Sequence, residues 1–331
     1  MTTPALVVSA SPHLRAKDTT PRIMWTVAAS LAPVAVAGAW FFGISALLVI
    51  AAAAAGAMIT ERFFGKSGSL WDGSAAITGV LLGLTLPPGL PLWMAALGGA
   101  FGIGFGKILF GGLGQNVFNP ALIGRAFLQA SFPVPMTTWS GVGGAFWALR
   151  GDNFALPFTH PETIDALTAA TPLGMQKFEG QETNLLSLLL GNTSGSIGET
   201  AAVLILLCGA YLAWRRLLNW RIPVAIFVSV AAASVALQAM LPTAPGPLFM
   251  LCSGGLALGA VYMATDPVTA PVTNAGRWIF GAGIGVLVVV IRVWGGLPEG
   301  VMYAILLMNA FTPFINKATQ PRVFGTGRVR T

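Results

Sequence analysis

Charge is missing from this chain over long distances. From Ile23 to Thr60 there is no Asp, Glu, Lys or Arg, and Gly43 divides the run into two stretches of helix-spanning length. A bilayer-crossing helix needs about 20 mostly apolar residues, and in lipid its backbone polar groups must be satisfied within the segment. The rest of the chain follows suit: of 331 residues, 55% are hydrophobic and 9% charged, against about a quarter charged in soluble domains. This excludes one small soluble core. The 41 glycines lack the strict three-residue period of collagen, and in a bilayer small residues let helices pack backbone to backbone.

The fold class read from this pattern is an all-α polytopic membrane protein with about ten transmembrane helices. Spans fall at about 23–43, 44–60, 70–86, 91–107, 119–131, 197–214, 222–241, 247–264, 278–294 and 299–316. The polar segment ending at Arg22 precedes an apolar stretch too long for the core of a cleavable signal peptide, so it reads as a mature tail. Interruptions at Pro87-Pro88, Asn119-Pro120 and Asp266-Pro267 predict broken helices, which are tolerated at membrane depth only beside protein or a cavity.

Basic residues near span ends set orientation. Arg15, Lys17, Arg22, Arg62, Lys66, Lys107, Arg215, Arg216, Arg221, Arg277, Lys317, Arg322, Arg328 and Arg330 all fall on one side of a ten-span topology. Both termini are therefore expected in the cytoplasm, and the net charge of +7 needs no nucleic-acid partner. The chain then divides into a cytoplasmic tail (1–22), a first five-span repeat (23–131), an acidic extracytoplasmic loop (132–196), a second five-span repeat (197–316) and a tail (317–331). The halves share a weak internal match at an offset of 184 residues: Gly99 with Gly283, Gly111-Gly112-Leu113 with Gly295-Gly296-Leu297, Leu122 with Leu306. Five spans per half force opposite insertion, which predicts inverted repeats with broken helices at their interface, as in urea transporters.

Several motifs bear on chemistry. Asn119-Pro120-Ala121 is suited to start a helix, since Asn caps well and Pro fits the first position; its second copy, which a water pore would need, is missing. Gly111 to Asn116 has neither the Lys-Ser/Thr ending nor the strand–helix context of a phosphate loop. Asn116, Asn119 and Arg125 are read as a buried cofactor or partner site, with Asn119 and Arg125 facing one cavity. A guanidinium seven residues into a short span requires a buried acceptor, which is expected from a cofactor or a neighbouring subunit's carboxylate. Asp72 and Asp266 are candidates for an ion pathway, because acidic groups at membrane depth are costly. Cys208 and Cys252 sit in separate apolar runs and His13 and His160 far apart; neither a metal site nor an iron–sulfur cluster held by this chain alone is expected.

The most specific pattern lies in the long loop. In Asp165-Ala166-Leu167-Thr168-Ala169-Ala170-Thr171-Pro172-Leu173, Thr171 reads as an N-cap and Pro172 as the first residue of a helix leading into Leu185 to Leu190. The same residues resemble the Asp-x-x-Ser/Thr-Gly/Ala-Ala-Thr motif on which bacterial flavin transferases attach FMN to threonine. With Ser11-Pro12-His13-Leu14, the stretch 111–121, Ala264-Thr265-Asp266-Pro267 and Gly276-Arg277, the chain resembles the D-subunit family of Rnf ion-translocating ferredoxin:NAD oxidoreductases. It is similar also to the paralogous B subunits of sodium-translocating NADH:quinone reductases, which usually begin with a longer N-terminal region.

The resemblance implies a covalent FMN on Thr171, with Asp165, Thr168, Ala170, Pro172 and Leu173 forming the recognition motif and a separate flavin transferase making the bond. A riboflavin is also associated with such subunits. It implies a multi-pass subunit of the bacterial inner membrane that passes electrons between ferredoxin and NAD branches, coupled to Na+ or H+ transport. Its partners would be the other membrane and peripheral subunits and the lipids; it carries no complete catalytic site alone. A small-solute channel of inverted-repeat fold is the rival reading, and would be colourless.

Overall fold

The computed structural model describes residues 18–65, 69–157, 170–199, 202–242 and 244–321. Ser11 to Leu14, Asp165 and Thr168 lie outside the described residues.

Helix α1 (Thr20–Phe42) ends at Gly43, where φ is +72° and a Cβ would stand 2.5 Å from Phe146 O. Only glycine fits such a hinge, and the chain folds straight back into α2 (Ile44–Phe64). Helix α3 (Ser74–Leu84) is only 11 residues long, about 16 Å at 1.5 Å per residue, roughly half the hydrocarbon thickness. It stops before Pro87-Pro88, and the carbonyls freed there find partners elsewhere. Gly198 N donates to Leu84 O at 2.6 Å and Ile197 N to Leu86 O at 3.2 Å. The Asn153 amide donates to Pro88 O at 2.9 Å and Leu90 O at 3.0 Å.

Helix α4 (Leu92–Ile103) runs on through the wide turns of Gly104–Ile108. Helix α5 (Pro120–Ser131) begins at the broken point as expected: Asn119 Oδ1 accepts from Ala121 N at 3.0 Å and Leu122 N at 3.4 Å. A short α6 (Pro133–Thr137) opens the long loop.

In that loop, Thr171 caps α7 (Pro172–Gly174), which widens through Met175–Glu179. The expected continuous helix into Leu185 does not form. Gly180 has φ +70° and ends it, and Asn184 starts α8 (Leu185–Leu190) afresh. The second half comprises α9 (Ala202–Trp214), α10 (Arg221–Met240), α11 (Pro247–Cys252), α12 (Leu256–Leu258, widening through Gly259–Met263), α13 (Asn274–Trp294) and α14 (Val301–Thr319).

Helices α1, α2, α10 and α13 are long and apolar enough to cross a membrane, and shorter or interrupted apolar helices accompany them. Helix α2 packs most extensively on α4 and α3, and α10 on α13. Close approach depends on glycine. A Cβ on Gly102 would lie 2.6 Å from Pro120 O, and one on Gly281 2.6 Å from Ala225 Cβ. One continuous apolar core, from Leu31 and Phe42 through Leu122 and Ile197 to Ile284 and Ile305, joins both halves.

Candidate functional site

Two of the cavities among the described residues hold most of the expected site residues. The larger of these two, about 350 Å³, is bordered by Arg125, Trp139, Thr171, Phe178, Glu199, Glu299 and Tyr303. Thr171 reaches it because its Oγ1 accepts from Gly174 N at 3.1 Å, fixing the start of α7. Leu173 packs with Leu188, Phe249 and Cys252 beneath. Beyond α7, the Lys177 ammonium donates to Gly295 O and, at 3.2 Å, to Leu297 O. A cation there satisfies carbonyls that the end of α13 leaves free and complements its dipole. The segment bearing Thr171 is thus held at both ends.

Charge in this cavity is concentrated and paired. Arg125 Nη2 donates to Glu299 Oε2 at 2.6 Å, and Glu299 Oε1 accepts from Gly255 N at 2.8 Å. Arg292, 3% exposed, donates from Nη1 to Met250 O at 2.6 Å and from Nη2 to Ser253 O at 2.8 Å. Those carbonyls belong to the break between α11 and α12. Gly254 makes the crossing possible: φ is +66°, and a Cβ would lie 2.6 Å from Leu173 Cδ1 and 2.9 Å from Glu299 Oε1.

The smaller cavity, about 120 Å³, is bordered by Ser74, Lys107, Asn116, Asn119, Tyr262 and Asp266. Asn119 Nδ2 donates to Met263 O at 3.1 Å, which joins the start of α5 to the end of the α12 segment. Asp266 Oδ1 accepts from Val268 N at 3.2 Å, and its Oδ2 from Thr269 Oγ1 at 3.3 Å. Beside it, buried Lys107 pairs with Glu61 and lies 3.7 Å from Asp72 Oδ2. Asp72 Oδ1 also accepts from Ser74 N at 2.7 Å.

Three expectations are corrected here. Asn119 and Arg125 do not share a cavity: six residues of helix rotate them about 120° apart and separate them by about 9 Å along the axis, so Asn119 lines the smaller space and Arg125 the larger. Arg125, whose acceptor was expected from a cofactor or another subunit, finds one within its own chain, on Glu299. Lys107, counted among the span-end charges that set orientation, is 3% exposed and ion-paired. Asn116 and Asp266 do share the smaller cavity with Asn119, and Asp72 borders the Lys107 pair. Ala170, Thr171, Pro172 and Leu173 all line the larger cavity. Sequence reasoning missed Glu199 and Arg292. The only signal for Arg292 was a cation inside an apolar span. Glu199 borders a segment whose apolar character begins just after it.

Apolar spanning helices, interrupted helices between two cavities and buried ion pairs define a multi-pass membrane protein with a polar interior. The chain belongs to the NQR2, RnfD, RnfE family, whose model matches residues 7–325. It is 44% identical to the D subunit of the proton-translocating ferredoxin:NAD(+) oxidoreductase complex of Clostridium ljungdahlii, over 97% of this chain and 96% of that one. It is 42% identical to the D subunit of the ion-translocating oxidoreductase complex of Stutzerimonas stutzeri, over 92% of each. To the D subunit of the Na(+)-translocating ferredoxin:NAD(+) oxidoreductase complex of Acetobacterium woodii it is 38% identical, over 98% and 97%. The resemblance drawn from the motifs is borne out.

Proposed function

We propose that Thr171 carries an FMN through a phosphoester and that this chain passes electrons through it. The chain is a membrane subunit of an ion-translocating oxidoreductase complex, and its reaction joins ferredoxin and NAD branches on partner subunits. The observation that carries the flavin reading is the setting of Thr171: a hydroxyl residue at the wall of a cavity of about 350 Å³, facing Trp139, Phe178 and Tyr303, with Arg125 across it. Aromatic faces suit a tricyclic ring, and a guanidinium suits a phosphate. The flavin would supply the redox chemistry; the residues around it supply position and charge. Asp165 and Thr168 serve recognition by a flavin transferase, a role that rests on the motif.

A noncovalent riboflavin belongs to the smaller cavity in this reading, with Asn116 and Asn119 as hydrogen-bonding groups, and Asp72 and Asp266 stand at the border of the ion path. The relatives divide between proton and Na+ transport in their names. Two inverted five-helix repeats, 23–131 and 197–316, are supported by matched packing: α2 on α4 and α4 on α5 in the first, α10 on α13 and α13 on α14 in the second. Each repeat also sends a buried cation to a short helix's end: Lys107 to Ser74 at the start of α3, and Arg292 to Met250 O and Ser253 O at the end of α11. With both termini cytoplasmic, the loop 132–196 and its flavin face outward from the inner membrane.

The test is an intact mass of the purified chain. A mass increased by one FMN less water supports the assignment, and an unmodified chain refutes it.

A further inference from the structure

The larger cavity holds a carboxylate that the flavin reading leaves unused. Each oxygen of Glu299 has one partner, Arg125 for Oε2 and Gly255 N for Oε1, with a lone pair to spare. Glu199 differs. Its Oε2 accepts from Ser196 N at 3.4 Å, while Oε1 has no hydrogen-bond partner among the described residues and no contact with solvent. Both carboxyl groups line this cavity. They converge over Gly255, where a Cβ would lie 3.3 Å from Glu299 Oε1 and 3.4 Å from Glu199 Oε1.

Two carboxylates are acceptors only. Placed this close without a proton they repel, and each leaves a lone pair facing the other; one shared proton turns the repulsion into a hydrogen bond. A second observation points to the same occupant. Arg292 is 3% exposed, faces this pair, and keeps its Nε unpartnered, and the wholly buried Ser196 hydroxyl is unpartnered too. Polar capacity therefore stands near Glu199 Oε1 without a fixed partner for it.

We infer that Glu199 carries a proton donated to Glu299, forming a proton-binding site in the wall of the Thr171 cavity. The groups facing the pair are Arg125 from α5, Arg292 from α13, Tyr303 from α14, Cys252 from α11 and Glu179 beyond α7. Glu179 is solvent-exposed; among the other groups, with Glu199 protonated, Arg125, Arg292 and Glu299 leave a charge of one positive unit, which matches a single anion in the cavity. Release of the proton to cavity water returns the set to neutrality. A metal cation fits poorly, because two guanidinium groups oppose it and the nearby carbonyls of Met250 and Ser253 are taken by Arg292.

The site stands on this geometry whatever Thr171 bears, and infrared spectroscopy of the full chain in lipid nanodiscs separates the two. The parental protein should show the carbonyl stretch of a protonated carboxylic acid, shifted in D2O. Glu199→Gln should lose it, and Thr171→Ala should keep it. Should Glu199→Gln fail to insert, Glu199→Asp should move the band without removing it. Absence of the band across the pH range in which the chain is folded, its survival in Glu199→Gln, or its loss on adding Na+ at constant pH would each overturn the proposal. An unmodified Thr171 with the band intact would refute the flavin assignment alone.

Discussion

Arg125 and Glu299, 174 residues apart in sequence, meet at 2.6 Å between Nη2 and Oε2 and tie the first half of the chain to the second. The pair borders the cavity that holds Thr171, so it joins structure and site. Breaking a buried pair by removing one partner costs about 3–5 kcal/mol, because the other charge is left uncompensated.

Arg125→Ala should accordingly lower the unfolding temperature of the detergent-solubilised chain. Replacing both residues together, as Arg125→Met with Glu299→Leu, should restore most of it. Turnover of the assembled complex should fall in both variants. A double variant with parental turnover would show that the pair serves packing alone.

Thr171→Ala should abolish covalent flavin fluorescence on a denaturing gel while membrane insertion is retained. Thr171→Ser keeps the hydroxyl and should preserve part of the signal. Thr168→Ala should weaken attachment without abolishing it. Fluorescence in the alanine variant at residue 171 would place the bond elsewhere.

Lys177 holds the segment after Thr171 onto the end of α13 through Gly295 O and Leu297 O. Lys177→Met removes that hold while keeping most of the apolar stem. Protease cleavage between residues 175 and 184 of the folded protein should then rise several-fold, with the flavin still attached to Thr171. Unchanged cleavage would mean that the packing of Leu173 and Leu188 suffices.

Orientation can be read from two single cysteines in a cysteine-free background. One at Gln181, in the loop between α7 and α8, should react with an impermeant thiol reagent added outside intact cells. One at Arg216, just beyond α9, should not. The reverse pattern would put the Thr171 cavity on the cytoplasmic side and remove the argument for an outward flavin.

The break at Asn119-Pro120, the caps at Asn119 and Thr171 and the long apolar helices α1, α2, α10 and α13 were legible in the chain itself because they are local. Asn119 and Pro120 start α5 through bonds to residues two and three positions on, and α1 and α2 meet at Gly43 because a positive φ is needed there. The pattern around Thr171 that we propose for attachment is local too, lying within nine residues. What joined these pieces was not local. Which acceptor neutralises Arg125, which carbonyls Arg292 satisfies, and that Glu199 faces Glu299 depend on contacts between residues 39 to 174 positions apart or drawn together by the α3 break. A guanidinium in an apolar span announces from sequence only that some acceptor must exist, since its burial alone is costly. The acceptor is chosen by packing, when glycines such as Gly102 and Gly281 let helices close and the interrupted helices bring their ends to one cavity.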